Sequence, residues 1–182
     1  GGGINVTDMG GQLLSAPYDL ASGLDGKWFN TNCTSCSTPV QPAVSRSGGT
    51  GLLRFGTGGT DQIGNGFSSK ADRNAFYHLN ITRLVAKKWI ANSFFEVDFP
   101  ANVNIPSSCN AFYNGSSVNF YRSSASCNNT GEIADVMQHE WGHGLDHATA
   151  AGDGATGEAT ADINGMHASH SPLVGPYFNK NG

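Results

Sequence analysis

The clearest hydrophobic pattern in the chain runs from Lys70 to Ala91. This stretch contains neither Gly nor Pro, and its apolar positions recur at spacings of three to five residues. A spacing near 3.6 residues places such side chains on one face of a helix. The pattern therefore predicts a long, well-buried helix whose apolar positions are Ala75, Phe76, Leu79, Leu84, Val85 and Trp89.

The region before that helix has a different pattern. Residues 1–69 are rich in Gly, Ser and Thr and contain only short apolar bursts, such as Gly51 to Phe55. Such bursts between turn-forming residues indicate short strands joined by loops. We divide the chain into a Gly/Ser-rich region of strands and loops, 1–69, and a core, 70–182. Alternatively, the two regions form one continuous domain. The two ends suggest a fragment of a longer chain.

Two strands are predicted in the middle of the chain. Apolar and acidic residues alternate over residues 95–99, which indicates a strand that stops at Pro100. Residues 117–122 are the second candidate, with Val118 and Phe120 on one face, and an Asn-Gly pair just before them is a turn signal. Residues 109–122 are therefore expected to form a hairpin.

Two further helices are predicted near the C-terminal end. Thr130 can cap a helix that continues to about His143, where Gly144 can end it. A Gly-rich loop over residues 151–157 follows, and a shorter helix is expected to begin near Glu158.

Composition limits the classes of function that fit. The 182 residues suit one domain, or one and a fraction. The net charge of −4 and the low charged fraction, 13%, give no basic surface for nucleic acid. No apolar run is long enough to span a bilayer. Low charge combined with many Gly, Ser, Asn and Thr residues is common in exported proteins, so we expect a secreted, extracellular protein.

Four cysteines strengthen that expectation. An even number in such a chain favours disulfides formed in an oxidising compartment. Three pairings can be drawn, of which we favour the pairing of neighbours, Cys33 with Cys36 and Cys109 with Cys127. The alternative is a zinc knuckle on Cys33 and Cys36, but a structural zinc site needs a second paired set of ligands, and the other two cysteines lack that spacing.

The segment with the strongest chemical meaning is His139-Glu140-Trp141-Gly142-His143. Residues four apart lie on the same face of a helix, so His139 and His143 can reach one metal ion. Glu140 lies beside the first imidazole, close enough to act on a water molecule without binding the metal itself. A metal that lowers the pKa of that water and a carboxylate that takes its proton are the parts a hydrolase needs.

The third metal ligand separates the alternatives. In the pattern HExxHxxGxxH, Gly and His would stand where this chain has Asp146 and Thr149, so that pattern fails. A carboxylate from the next helix, Glu158, is the alternative ligand. Asp162 lies four residues further on the same face and can accept a hydrogen bond from a ligand His.

Other interpretations of these residues remain open. Glu158 could simply be an acidic residue that stabilises the start of a helix. Asp146 and His147 are lesser candidates for the third ligand. His147 would lie one turn beyond His143, but Gly144 is expected to end the helix first.

With these residues in view, the chain resembles the gluzincin zinc metallopeptidases, in particular the thermolysin-like and fungalysin-like groups. The resemblance rests on His139-Glu140-x-x-His143 followed by Gly157-Glu158-x-x-x-Asp162. Two further segments are similar: Asn110 to Gly115 looks like the substrate-binding edge strand of the family, and Asn74 to His78 like part of the preceding helix. The similarity covers residues 70–165, so the core, 70–182, is expected to be a zincin-like catalytic core.

The resemblance implies an α+β fold: a zincin-like N-terminal lobe with a mixed β-sheet, a long buried helix and an active-site helix. The helical C-terminal lobe of the family would be largely absent. It also implies one zinc ion on His139, His143 and Glu158, with Asp162 orienting a ligand His. Calcium ions are implied by the family but cannot be placed on particular residues.

The activity implied is that of a secreted zinc metalloendopeptidase. Glu140 would be the general base, and Asn110 and Ala111 would bind the main chain of a peptide or protein substrate. A partner chain or the missing C-terminal lobe could complete the cleft. The alternative is a non-catalytic metallopeptidase-like module that serves as a structural or binding unit of a larger extracellular assembly.

Overall fold

A computed structural model describes residues 4–5, 18–21, 24–36, 43–46, 50–51, 68–149 and 157–181. Within these ranges, no helix has both the length and the apolar character needed to cross a membrane.

Among the described residues, five short strands precede the first helix. They are β1 (Ile4–Asn5), β2 (Tyr18–Ala21), β3 (Phe29–Cys33), β4 (Ala43–Arg46) and β5 (Thr50–Gly51). The antiparallel pairs β1–β5 and β2–β4 agree with the prediction of short strands in this region. The rest of the predicted burst after Gly51, residues 52–55, lies outside the described residues. Since β3 joins the central sheet, residues before position 70 contribute to the core, and the boundary between 69 and 70 stays a prediction.

The first helix, α1 (Lys70–Ala86), is shorter than predicted. It begins with a capping box: the Ser69 side chain accepts a hydrogen bond from the Asp72 backbone N–H, and the Asp72 carboxylate accepts one from that of Ser69. The prediction of its buried face was partly wrong, because Leu84 and Trp89 are 51% and 81% exposed. The buried face instead consists largely of small and polar residues: Ala71, Asp72, Ala75, Leu79, Thr82, Arg83 and Ala86.

The strand predicted over residues 95–99 is wrong. Ser93–Glu96 form a 3-10 helix, whose first turn is capped by the Asn92 side chain accepting from the Phe94 N–H at 2.8 Å. The strand, β6 (Phe99–Ile105), starts where the prediction ended it. Pro100 is tolerated near its start because pairing with the neighbouring strand on one side begins only at Ala101, so the missing N–H removes no hydrogen bond there.

The hairpin predicted over residues 109–122 is confirmed. It consists of β7 (Ala111–Tyr113) and β8 (Val118–Tyr121), which pair antiparallel. The strand order is β3-β6-β8-β7, with β3 and β8 both parallel to β6, so β7 forms one edge of a mixed sheet. One side of the sheet carries an asparagine ladder in which Asn102 bonds Asn32 at 3.1 Å and Asn119 at 2.8 Å.

Two helices complete the described chain, α2 (Ala134–Thr149) and α3 (Gly157–Ser169). The cap predicted at Thr130 is wrong: this residue begins a 3-10 helix, and its buried Oγ1 accepts from the Tyr121 N–H at 2.8 Å. The end predicted at Gly144 is also wrong, because α2 continues five residues further, to Thr149.

The fold is α+β, with a four-stranded mixed sheet and three helices, as predicted. α1 and α2 pack on the apolar side of the sheet, and α3 packs against α2. The largest fully buried side chains lie between these layers and include Trp141, Phe29, Phe95, Phe120, Leu79 and Met137.

Two disulfides join neighbouring cysteines, Cys33 to Cys36 and Cys109 to Cys127. The first closes the loop after β3, and the second ties the start of the hairpin to the loop that follows it. Both pairings are those favoured from the sequence.

A buried arginine links α1 to the segment before β6. Arg83 is 2% exposed, and its guanidinium carbon lies 3.7 Å from the ring centroid of Trp28. Its Nε donates to the backbone oxygen of Phe95 at 2.6 Å, and one terminal nitrogen pairs with Glu96 at 3.2 Å. Burial of this cation is thus offset by a carbonyl, a carboxylate and an aromatic face.

Candidate metal centre

Two imidazoles from α2 meet at the surface facing α3. His139 and His143 are one helical turn apart, and their Nε2 atoms lie 3.1 Å from each other. Their side chains are 14% and 22% exposed, so both rings lie in the protein with one edge open. The helix therefore brings the two nitrogens together as the spacing predicts.

A carboxylate from α3 completes the group. Glu158 Oε2 lies 3.3 Å from His139 Nε2, and Oε1 lies 3.5 Å from His143 Nε2. The donor atoms of all three residues fall within 4.8 Å of one another. The structure thus brings together the three residues that the sequence proposes as ligands, and the Glu158 side chain remains 80% exposed.

Asp162 holds one of the imidazoles from behind. Its Oδ1 lies 2.8 Å from Nδ1 of His139. With the proton on Nδ1 donated to this carboxylate, the Nε2 lone pair of His139 points toward Glu158 and His143. One turn of α3 therefore supplies both the exposed carboxylate and the residue that orients the ring.

The close approach of α2 and α3 depends on glycines. A Cβ on Gly142 would stand 2.8 Å from the Cα of Ala161 and 3.1 Å from the Cβ of Asn164. On the facing helix, a Cβ on Gly165 would stand 3.1 Å from the backbone oxygen of Asp135. Since larger residues do not fit, the glycines bring the backbone of α3 close enough for Glu158 to reach the two rings.

Gly144 has a similar function on another side of α2. A Cβ there would stand 2.9 Å from Phe94 and 3.3 Å from the ring of Tyr113. A glycine is therefore accommodated inside the helix because the aromatic rings leave no space for a Cβ. α2 continues through it to His147.

Glu140 is buried beside the group without joining it. The residue is 8% exposed, and this burial raises its pKa to about 7, with Glu158 also acting to raise it. The neighbouring His139 and a hydrogen bond from the backbone N–H of Tyr113 act in the opposite direction. Without a nearby cation, the carboxyl therefore exchanges its proton close to neutral pH.

The electrostatic setting of His143 favours a neutral ring. Burial lowers its pKa, and the nearby His139 lowers it further, while Glu158 acts in the opposite direction. A neutral imidazole is the form that binds metals. Two imidazole nitrogens and one carboxylate oxygen are a donor set found in catalytic zinc sites, in which a further group orients a ligand imidazole. The residues therefore fit a single divalent ion.

The strand that the sequence assigns to substrate lies next to this group. Asn110 precedes β7 and is exposed, and Ala111 begins the strand. The carbonyl of Asn110 faces β8, where it accepts from the N–H of Tyr121. Because strand groups alternate in direction, the backbone N–H and C=O of Ala111 and Tyr113 point to the open edge, which pairs with no other described strand.

Two residues near the group form a side-chain contact that the sequence did not predict. The Tyr113 hydroxyl lies 3.1 Å from His147 Nδ1, and the Tyr113 backbone acts to lower the pKa of Glu140. His147, a lesser candidate for the third ligand, lies on α2 but does not join the converging donors. Its position could have been found from the sequence: positions 140, 144 and 147 fall on one helix face if α2 continues past Gly144.

A second group of metal-binding residue types is formed by Cys33, Cys36 and Asp72. Since the two sulfurs are joined in a disulfide, they offer no thiolate to a metal. The alternative of a zinc knuckle at these cysteines is therefore wrong.

The arrangement of the sheet and the described helices is similar to that of a solved structure. A solved structure, described as the precursor of protealysin, a metalloproteinase from Serratia proteamaculans, is similar to this chain with a TM-score of 0.55 and 19% sequence identity. The match covers 82% of this chain and 45% of that chain, so this chain spans less than half of that protein. No family model and none of the curated proteins matches the sequence. The likeness establishes the fold, and the site must be argued from its own residues.

Proposed function

We propose that the chain is a zinc-dependent metalloendopeptidase. The observation that carries this proposal is the convergence of His139, His143 and Glu158 on one space. Glu140, which directly follows His139 on the same helix, is buried and stays out of the group. A site that only needed to bind a metal would have no use for a buried carboxyl with a pKa near neutrality beside it.

The three converging residues would hold the ion. When bound, zinc supplies a Lewis acid that lowers the pKa of a water molecule and polarises a carbonyl group. Asp162 keeps the Nδ1 proton of His139 in place, so that Nε2 is presented as a donor to the metal.

Glu140 is the general base in this proposal. Its buried carboxyl lies beside the converging donors, where it can take a proton from a water molecule and later give it to the leaving amine.

The substrate is proposed to bind as an added strand on β7. The open edge offers the N–H and C=O of Ala111 and of Tyr113. Main-chain pairing of this kind selects an extended peptide rather than a particular sequence. The Asn110 side chain, exposed at the start of the strand, is the remaining polar group for the substrate.

We also propose that the protein acts outside the cell. The two disulfides are compatible with an oxidising compartment. A partner chain or a further lobe that closes the cleft opposite β7 belongs to the same proposal.

Cleavage of a quenched fluorescent peptide tests the function, with metal content measured in parallel. Glu140→Gln should keep zinc but lower kcat at least about a hundredfold, because it removes the base. Glu132→Gln, a matched change outside the site, should retain activity. His143→Ala should lose both zinc and activity.

The same experiment can reject the proposal. Zinc binding with equally inert wild type and Glu140→Gln would favour the non-catalytic metallopeptidase-like module. Failure of the wild type to bind added zinc would remove the basis for both interpretations.

A further inference from the structure

The turn between β7 and β8 contains an Asn-Gly pair that the proposed function does not use. We propose that Asn114 is a site of spontaneous deamidation, in which its side-chain amide becomes aspartate or isoaspartate without the help of an enzyme. The inference concerns the chemistry of this turn alone and does not depend on the proposed peptidase activity.

The reaction needs only the neighbouring residue and water. The backbone nitrogen of Gly115 gives up its proton and attacks Cγ of Asn114, which closes a succinimide ring. The bond from Cγ to Nδ2 breaks, and the amide takes up a proton and leaves as ammonia. Water then opens the ring at one of its two carbonyl carbons. One opening gives aspartate, and the other gives isoaspartate, whose backbone contains one additional carbon.

The attacking and leaving groups are free in this turn. Asn114 and Gly115 are both exposed, and neither the Gly115 N–H nor Nδ2 of Asn114 donates to any described residue. Gly115 has a φ of 94°, and no atom lies within 4 Å of the position that a Cβ would take. Both nitrogens can therefore react without breaking a hydrogen bond of the fold.

The carbonyl that is attacked is surrounded by donors. Oδ1 of Asn114 accepts from the backbone N–H groups of Ser116 at 3.0 Å and Ser117 at 2.8 Å. The hydroxyls of the same two serines donate to it at 3.2 and 3.1 Å. Because the attack places negative charge on this oxygen, these donors stabilise the charge as it develops. An aspartate formed here can keep the same bonds, which are stronger when the acceptor is ionised.

A second Asn-Gly pair, within α3, is the matched case in which the reaction is blocked. Asn164 is 9% exposed, and its Nδ2 donates to the backbone oxygen of Gln138 at 2.6 Å and to Oγ1 of Thr82 at 2.9 Å. Gly165 lies inside the helix, where its N–H bonds to the carbonyl four residues earlier. The leaving group and the attacking nitrogen are both occupied, so the structure, and not the dipeptide, separates the two sites.

The bonds to Oδ1 also permit the opposite interpretation. They restrict rotation of the Asn114 side chain, and a fixed amide turns less readily toward the attacking nitrogen. If the turn protects Asn114 in this way, removal of one donor will accelerate the reaction. If the donors assist the attack, as we propose, removal of one will slow it. The sign of the effect separates the two interpretations.

The products change the end of β7. Either one adds a negative charge to a chain whose formal net charge is −4. Isoaspartate also lengthens the backbone between Tyr113 and Gly115, which are joined by a hydrogen bond of 3.0 Å from the tyrosine hydroxyl to the glycine carbonyl. The isoaspartyl form should therefore hold the end of this strand less firmly.

Incubation of the folded chain with a chelator at pH 8, followed by peptide mapping, tests the inference. Asn114 should convert about 10- to 100-fold faster than Asn164, which must first give up two hydrogen bonds. Ser116→Ala should slow conversion at Asn114 about 3- to 10-fold, the effect of one hydrogen bond. Asn114→Gln is the matched control and should show no conversion in this peptide, and Asn114→Asp supplies the reference for the aspartate product.

Several results would overturn the inference. They are equal conversion at Asn114 and Asn164, faster conversion in Ser116→Ala, unchanged conversion in Asn114→Gln, and conversion of Asn114 only in the chain unfolded by urea. None of these measurements is an activity. An inert wild type that converts at Asn114 as expected would therefore reject the peptidase proposal and support this inference.

Discussion

Oε2 of Glu158 lies 3.3 Å from Nε2 of His139, although the two residues belong to different helices. A divalent ion held by both would bind only when α2 and α3 are packed together. Metal binding in this protein should therefore be coupled to folding.

We expect zinc to raise the unfolding temperature. At a free concentration about a hundredfold above its Kd, a ligand specific for the folded state adds about 2.7 kcal/mol to the free energy of unfolding. Thermal unfolding with added zinc and with a chelator measures the difference. His143→Ala should show almost no difference, and an equal shift in that variant would mean that the ion binds elsewhere.

Asp162→Asn should weaken zinc binding about 10- to 100-fold. The carboxylate accepts from His139 Nδ1 at 2.8 Å, and loss of such a partner reduces control of the ring's tautomer and orientation. Competition with a chromophoric chelator gives the affinity. Asp98→Asn, an exposed residue before β6, serves as the matched control and should bind zinc as the wild type does.

The metal-free protein should lose stability as the pH rises toward 7. Burial raises the pKa of Glu140 from 4.5 to about 7 in the folded state, so the folded chain holds a proton that the unfolded chain has released. The contribution of Glu140 to the free energy of unfolding is therefore largest below about pH 4.5. It falls by about 1–3 kcal/mol as the pH increases to 7.

Denaturant unfolding in chelator at pH 4.5 and at pH 8 measures that effect. Glu140→Gln carries no titrating group at this position. The free energy of unfolding of the wild type should therefore fall relative to that of Glu140→Gln as the pH rises. A constant difference would show that the folded-state pKa of Glu140 is not raised.

The sequence predicts the convergence of the three candidate donors better than it predicts the elements around them. Spacing on a helix determines how His139 and His143 meet, because that relation is local. The continuation of α2 through Gly144 could not be predicted, since it depends on Phe94 and Tyr113 from other elements. Tertiary packing here outweighs the intrinsic tendency of glycine to end a helix.

The strand predicted over residues 95–99 failed for a related reason. Alternation alone favoured a strand, but the Asn92 side chain caps a 3-10 turn, and Phe95 is buried against Trp141 with ring centroids 6.0 Å apart. In α1, the exposed Leu84 and Trp89 were assigned to the buried face because they are apolar, while the buried Arg83 was overlooked because it is charged. Its partners, Trp28 and Phe95, are distant in sequence.

Gly142→Ala should destabilise the fold by about 1–3 kcal/mol and weaken zinc binding. The added methyl group would stand 2.8 Å from the Cα of Ala161, a backbone atom that can move only with α3. Denaturant unfolding and metal titration measure both effects. Gly157→Ala, whose Cβ would meet only Asp146 at 3.7 Å, should be neutral or slightly stabilising. Equal behaviour of the two variants would contradict the packing argument.

Arg83→Ala should lower the free energy of unfolding by about 2–4 kcal/mol. It removes a charge-assisted bond to the Phe95 carbonyl and the contact with the Trp28 ring, and it opens space in the core. Chemical unfolding monitored by tryptophan fluorescence measures the loss. The exposed Arg122→Ala should change stability by no more than about 0.5 kcal/mol.

The unequal exposure of the converging residues has a practical consequence. The His139 side chain is 14% exposed and that of Glu158 is 80% exposed, so the group opens to the surroundings on the α3 side. Solutes can reach it from there without passing through the interior. Ion exchange should accordingly be fast, and the metal content of a purified sample will reflect the buffers used in its preparation.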